Sequence, residues 1–215
     1  LLGSGLIVVL VLLSLGFGAL WPEVEFVSDA APMLARYADL MTETQMQEAV
    51  DELSAMPRPV LVLVLLMQSL VAGLTINAVA EFGEGRGWRG GVVAQWRLRR
   101  GVWKTALVTG GCWGIWHAPL IVQGHNYPAH PGWGVLFMTI WCVALSPRFL
   151  WVRERSGSVF AASGMHGVLN AAGAIAVLFL KGGNDLQIGV TGAAGIAATV
   201  VLSGLLAVIR RQVSD

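Results

Sequence analysis

Charge is what this sequence has least of. Asp, Glu, Lys and Arg make up only 13% of its 215 residues, against roughly 25% in a soluble domain. With 55% hydrophobic residues and a mean hydropathy of +0.68, the expected solvent is a lipid bilayer. The net charge is +1 and no basic face dominates, so nucleic acid is not an expected partner. Cysteine is equally sparse. Cys112 and Cys142 both lie in apolar runs and read as small core residues, with neither a disulfide nor a metal-type Cys spacing. The first twenty residues lack a basic leading region and a clear small-residue cleavage site, so they read as a membrane helix rather than a signal peptide. A start at Leu1 rather than Met is what a fragment or a trimmed product would show. There is no internal repeat and no low-complexity segment.

What is present is a series of apolar runs, at 5–20, 59–80, 105–122, 133–150, 158–180 and 188–209. At 1.5 Å per residue these are expected to span a bilayer, the first only marginally before Trp21-Pro22 ends it. Segment 23–56 is acid-rich, with Glu23, Glu25, Asp29, Asp39, Glu43, Glu48, Asp51 and Glu52 against Arg36 alone. Within it, 42–56 is expected to form an amphipathic helix outside the bilayer. Basic residues follow the second run (Arg97, Arg99, Arg100), the fourth (Arg148, Arg153, Arg155) and the sixth (Arg210, Arg211). The other connections hold only Arg36 with Arg58, none, and Lys181. The positive-inside rule then places both termini in the cytoplasm. The expected fold is all-α, a polytopic membrane helical bundle of about six spans. Residues 1–58 supply the first span and the acidic extracytoplasmic segment, and 59–215 the core.

Three polar islands interrupt this oily chain: Glu81, Glu84, Arg86 and Arg89; then His117; then His166 with Asn170. Ionisable groups inside a span are expensive and mark functional sites by default. Glu84 is thirteen residues from Arg97, His117 thirteen from Lys104 and His166 eleven from Arg155, which places all three roughly 16–20 Å from the cytoplasmic edge. A straight helix from residue 59 to 96 would be about 57 Å long, too long for one span. Gly83, Gly85, Gly87, Gly90 and Gly91 are therefore expected to kink or break the helix beside a wet cavity. His166 and Asn170, four residues apart, share one helical face. A histidine moves protons near neutral pH, an asparagine amide donates to an oxyanion, and a partly desolvated glutamate suits general-base work on water. Arg89 could hold a carboxylate or position the loop. Each has a structural alternative. A lone membrane histidine often serves as a helix–helix hydrogen-bond partner, Glu84 and Arg89 could form an ion pair, and Trp113 and Trp116 could be packing residues.

The motifs at these islands are Glu84-Gly85-Arg86-Gly87-Trp88-Arg89-Gly90, Trp113-x-x-x-His117 followed by Ala118-Pro119-Leu120, and His166-x-x-x-Asn170 after Ser156-Gly-Ser-Val-Phe160. In order and spacing they resemble the CPBP family of intramembrane proteases, which includes CAAX prenyl endopeptidases and Abi-type proteins. That family carries E-E-x-x-x-R, F-x-x-x-H and H-x-x-x-N, and the resemblance covers about residues 80–172. It implies an all-helical membrane protease in which Glu84, assisted by His117, activates water. His166 and Asn170 would stabilise the oxyanion, with Arg89 and Trp113 in support. Two positions depart from the pattern: Gly85 stands where the family has its second glutamate, and Trp113 where it has phenylalanine.

The expected activity is hydrolysis of a peptide bond in a membrane-embedded or lipid-modified protein or peptide, by an integral protein of a bacterial plasma membrane. Two His and a Glu could supply three zinc ligands, but there is no H-E-x-x-H, and a metal-free, cofactor-free mechanism is the expectation. Two alternatives come from other classes. One is a catalytically impaired membrane scaffold or bacteriocin-immunity protein, motivated by Gly85. The other is a bis-histidine haem protein using His117 and His166.

Overall fold

The computed structural model describes residues 2–27, 29–35 and 41–214, apart from the side chains of residues 2, 89, 92–100, 102 and 206–214. Arg36 and Asp39, and the side chains of Arg89, Arg97, Arg99, Arg100, Arg210 and Arg211, thus lie outside the described residues. The chain is all-helical but for one short antiparallel ladder, in which β1 (Glu25–Phe26) pairs with β2 (Leu180–Lys181). Helices α1 (Leu2–Gly18), α2 (Ala30–Leu34) and α3 (Glu43–Ser54) come first. The amphipathic helix expected over 42–56 is α3. Thr42 and Gln45 close a capping box at its start, and none of its residues is fully buried, although Leu53 packs against the core.

Helices α4 (Arg58–Ala72) and α5 (Ala78–Gly85) follow, joined by a π-helical turn at Gly73–Asn77. Then come α6 (Val93–Trp116), α7 (Ala118–Ile121), α8 (Pro131–Ser156), α9 (Val159–Ala172), α10 (Ile175–Leu178) and α11 (Ala193–Ser214). Among the described residues, three helices are long and apolar enough to cross a membrane: Arg58–Trp88, Pro131–Ser156 and Val159–Leu178. Gly3–Gly18 and Ala193–Leu205 are shorter apolar helices.

The glycine-rich stretch does not break its helix; of the kink or break expected there, the structure has a departure from α geometry in the form of a π-helical segment. Residues 83–91 stay helical and pass through a second π-helical segment, Arg86–Val92, directly into α6. The interruption falls later, at Gly101, whose φ of 76° and ψ of 171° leave the helical region. Glycine permits a left-handed φ but does not impose one. Around Glu84 the backbone instead widens by i→i+5 bonding, which keeps its amides paired.

Two helix pairs place the polar islands, and glycine sets the spacing of both. In the first, every fourth residue from Ser69 to Gly85 faces α9, running antiparallel. Ser69 donates to the Ala171 carbonyl at 3.2 Å and Asn77 to that of Gly167 at 3.3 Å. A Cβ on Gly73 would lie 2.4 Å from Val168 Cα, and one on Gly167 would lie 2.2 Å from the Gly73 carbonyl oxygen. Four residues overshoot an α-helical turn by about 40°, so such a row would drift off the face. The wider π turn at Gly73–Asn77 offsets that drift. In the second pair α6 lies against α8. A Cβ on Gly110 would meet Val143 Cα at 2.7 Å, and one on Gly114 would meet Thr139 Cα at 2.4 Å. Small residues at such crossings let backbones approach, the usual basis of helix association in lipid.

Arg148 also departs from its expected place. It is not a free anchor at the membrane edge but is 4% exposed. Its guanidinium donates to the Ala144 carbonyl at 3.0 Å, the Thr199 carbonyl and Ser203 Oγ at 2.5 Å, which ties α8 to α11. Beyond the spans, Tyr127 is fully buried and donates its hydroxyl to the Thr191 carbonyl at 2.7 Å. Burial holds this phenol above its ordinary pKa, so the bond persists through neutral pH.

Because backbone atoms face it, Gly167→Ala should destabilise the protein by about 1–3 kcal/mol. Gly111→Ala, with open space at its Cβ, should be neutral or slightly stabilising. Thermal unfolding of the two variants in detergent checks the contrast, and equal midpoints would contradict the close helix approach.

Candidate active site

The three islands converge on one cavity of about 670 Å³. Its polar wall comes from Glu81 and Glu84 on α5, His117 at the end of α6, and His166 and Asn170 on α9. Trp116, Leu120, Met138, Trp141, Leu169 and Val177 supply apolar surface. Loops 122–130 and 184–191 complete the lining with His125, Asn126, Pro128 and Asp185. These two loops are pinned together: Asp185 accepts from the Ala129 amide at 2.7 Å and meets His130 Nδ1 at 2.5 Å, in addition to the Tyr127–Thr191 bond.

His166 is the most enclosed of the polar groups. Its side chain is 5% exposed, against 15% for each of Glu81 and Glu84. The turn that delivers it is local. α8 ends on Gly157 at a φ of 66°, the Ser158 amide donates to Ser156 Oγ at 3.2 Å, and Ser158 begins α9. Phe160 in the first turn of α9 stacks on Phe82 with centroids 4.3 Å apart, which fixes α9 against α5. His166 Nδ1 then lies 2.6 Å from Glu81 Oε2 and 3.8 Å from Glu84 Oε1. Asn170, one turn further, donates through Nδ2 to Glu81 Oε1 at 2.8 Å.

His117 reaches the same cavity from the other helix pair. Its Nδ1 is 2.8 Å from the Trp113 carbonyl oxygen, which only accepts, so Nδ1 carries the hydrogen and Nε2 is left as the basic nitrogen. Trp113, 3% exposed, lies between the two histidines. Its ring meets that of His117 edge-on at 5.7 Å and that of His166 at 5.3 Å, with Trp141 and Phe149 behind it. Trp113 is therefore both a packing residue and part of the cavity wall.

Of the residues picked out from the sequence, Glu84, His117, His166, Asn170 and Trp113 thus share one cavity; the Arg89 side chain is among those not described. The sequence reading named Glu81 as ionisable but gave it no role, yet it makes the shortest contacts to His166 and Asn170. A signal was available: Glu81 and Glu84 are three residues apart and share a helical face. The pinned loops, with Tyr127, His130 and Asp185, carried no comparable signal.

The structure also accounts for Gly85. A Cβ there would lie 2.5 Å from Ser163 Oγ on α9, so a side chain at 85 must push that helix or its hydroxyl aside. As to metal binding, Glu81, Glu84 and His166 each offer a ligand atom within 4.8 Å of the others. A cation bound through His166 Nδ1 would have to displace the hydrogen shared with Glu81, which engages that nitrogen here.

A family model for type II CAAX prenyl endopeptidase Rce1-like proteins matches residues 60–172. That segment runs from the third residue of α4 to the end of α9 and contains every polar residue of the site except those of loop 184–191. A search of curated proteins and a search of solved structures each found no match. With more than half its length matched, the chain belongs to the Rce1-like family of type II CAAX prenyl endopeptidases.

Proposed function

We propose that the protein is an intramembrane glutamate-type endopeptidase that hydrolyses a peptide bond of a membrane-embedded or lipid-modified protein or peptide. The observation that carries this is the convergence of three distant segments on one cavity, with the Glu84 carboxylate beside His166 and with His117 and Asn170 in the same wall. In this reading Glu84 takes a proton from water, with the basic Nε2 of His117 assisting, and the hydroxide adds to the scissile carbonyl carbon. The carbonyl oxygen becomes an oxyanion facing His166 and Asn170, whose amide nitrogen keeps a second hydrogen beyond the one given to Glu81. Collapse of the adduct breaks the C–N bond, and the proton held by Glu84 passes to the leaving amine.

The surroundings suit this chemistry. The apolar part of the lining is apt for a side chain or lipid entering from the bilayer. The membrane setting belongs to the proposal: about six spans with both termini cytoplasmic, as the distribution of Lys and Arg implies, in a bacterial plasma membrane. A metal-free mechanism accords with the hydrogen bond that engages His166 Nδ1.

Glu84→Gln, purified in detergent and assayed on lipid-modified and unmodified peptides, should lose about 10²–10⁴-fold in kcat. Asn170→Ala should lose about 10²–10³-fold as an oxyanion donor is removed. Variants that cleave at the parental rate would refute the assignment, and a parent inert on all such substrates would point to a scaffold on the same fold. Separately, prolonged chelation should leave activity unchanged and elemental analysis should find no stoichiometric zinc; a chelator-inactivated enzyme restored by zinc would overturn the metal-free reading.

A further inference from the structure

We propose that Glu81 is the positioning carboxylate of the site, holding His166 and Asn170 in register with one oxygen each, from a place one helical turn before the residue assigned to water. The inference rests on the reading of Glu84, His166 and Asn170 given above and adds a residue that no motif marks.

The geometry is that of a bridge. Glu81 Oε2 is 2.6 Å from His166 Nδ1 and Glu81 Oε1 is 2.8 Å from Asn170 Nδ2. The two partners are four residues apart on α9 and present the same face, so a single carboxylate spans both. Glu84 stands further off, 3.8 Å from the same ring nitrogen. Two carboxylates three residues apart on one helix thus meet His166 at different distances. The nearer bridges both residues of α9, and the farther stands beside His166 without spanning to Asn170.

Acceptor-only chemistry gives the bridge its function. A carboxylate cannot donate, so the hydrogen on the His166–Glu81 contact sits on Nδ1 and fixes the orientation of the ring, which meets the oxyanion as an imidazolium through the hydrogen on Nε2. Likewise the Asn170 amide must turn its nitrogen, not its oxygen, towards Glu81, and the orientation of both groups follows from one side chain. A side chain at position 85 would first meet Ser163 Oγ, 2.5 Å from its Cβ, and would have to turn that hydroxyl aside. The carboxylate that braces α9 comes from 81, where Oε1 and Oε2 already reach it.

Glu81→Gln isolates the effect. The amide has nearly the same shape and still offers one oxygen to Asn170, but it turns an NH2 towards His166 Nδ1. Two donors then face each other unless the ring gives up the hydrogen on Nδ1 and with it the charge that strengthens donation to the oxyanion. Outer-shell partners of this kind typically carry about 10–100-fold. The variant should therefore lower kcat by about that factor, leave KM within about twofold, and shift the pH profile of kcat, whereas a purely structural role would leave the profile in place. Glu81→Asp, still acceptor-only, should recover the parental pH profile in part.

Nitrogen NMR of histidine-labelled protein in detergent gives a readout independent of catalysis. With four histidines, His166 is assigned by its loss in His166→Gln. Nδ1 should be protonated in the parent and unprotonated in Glu81→Gln. An unchanged tautomer, or unchanged kcat and pH profile, overturns the proposal. If Glu84→Gln stays active while Glu81→Gln is inert, then Glu81 is the base, and both this proposal and the assignment of Glu84 fall. If the parent cleaves nothing, the protease reading fails while the tautomer measurement still decides the bridge.

Discussion

Everything at the site depends on how closely the long helix Arg58–Trp88 can approach α9. Lipid gives two apolar helices no hydrophobic reason to associate, so proximity has to come from packing and from hydrogen bonds hidden between them. Ser69, Gly73, Asn77, Glu81 and Gly85 supply both, alternating hydroxyl, amide and carboxylate with bare backbone. The glycines bring the backbones together, and the polar members find carbonyls or side chains on α9 that would otherwise be uncompensated in hydrocarbon. The ionic contact at Glu81 is the continuation of a row whose other members have no chemical duty.

The second glycine-set pair, α6 against α8, performs the same service for His117. The two pairs meet at Trp113, whose ring touches both histidines. An indole there is rigid, large and apolar on its faces, so it fills the gap between the two histidines without offering them a competing charge. Opposite, the cavity is closed by loops held through side chain-to-backbone bonds at Asp185 and Tyr127. One wall is thus built of helices fixed by contact and the other of loops fixed by a few hydrogen bonds, a division common where a rigid scaffold carries a more variable binding surface.

Much of this was legible in the sequence, and the failures are instructive. Hydropathy located helices because a chain in lipid must satisfy its own backbone, but among the described residues three of them, not six, are long and apolar enough to cross a membrane. Motif order located Glu84, His117, His166 and Asn170 because charge in an oily run stands out. Three things were not legible. A cluster of glycines looks the same whether it breaks a helix or lets one pack, and only the partner helix decides; around Gly85 it was packing, and the true interruption was the single Gly101. Arg148 looked like an anchor at the membrane edge because its partners on α11 are carbonyls and a serine, which carry no signature. Glu81 was read as one more charge, since its meaning lies in distances to α9 and not in any spacing along its own helix.

The π turn at Gly73–Asn77 has a further consequence. A π turn amounts to one residue inserted into an α-helix, so the parts of the helix before and after it are set about 100° apart by a count of residues rather than by any side chain. Ser69 and Gly73 hold α9 with one setting, Glu81 and Glu84 address it with the other. Residue count between these two groups is therefore a stricter requirement than residue identity. The lipid-facing side chains along this helix can be exchanged for others of similar character, but the loss of one residue between them would turn both carboxylates away from the cavity while every motif remained intact to the eye.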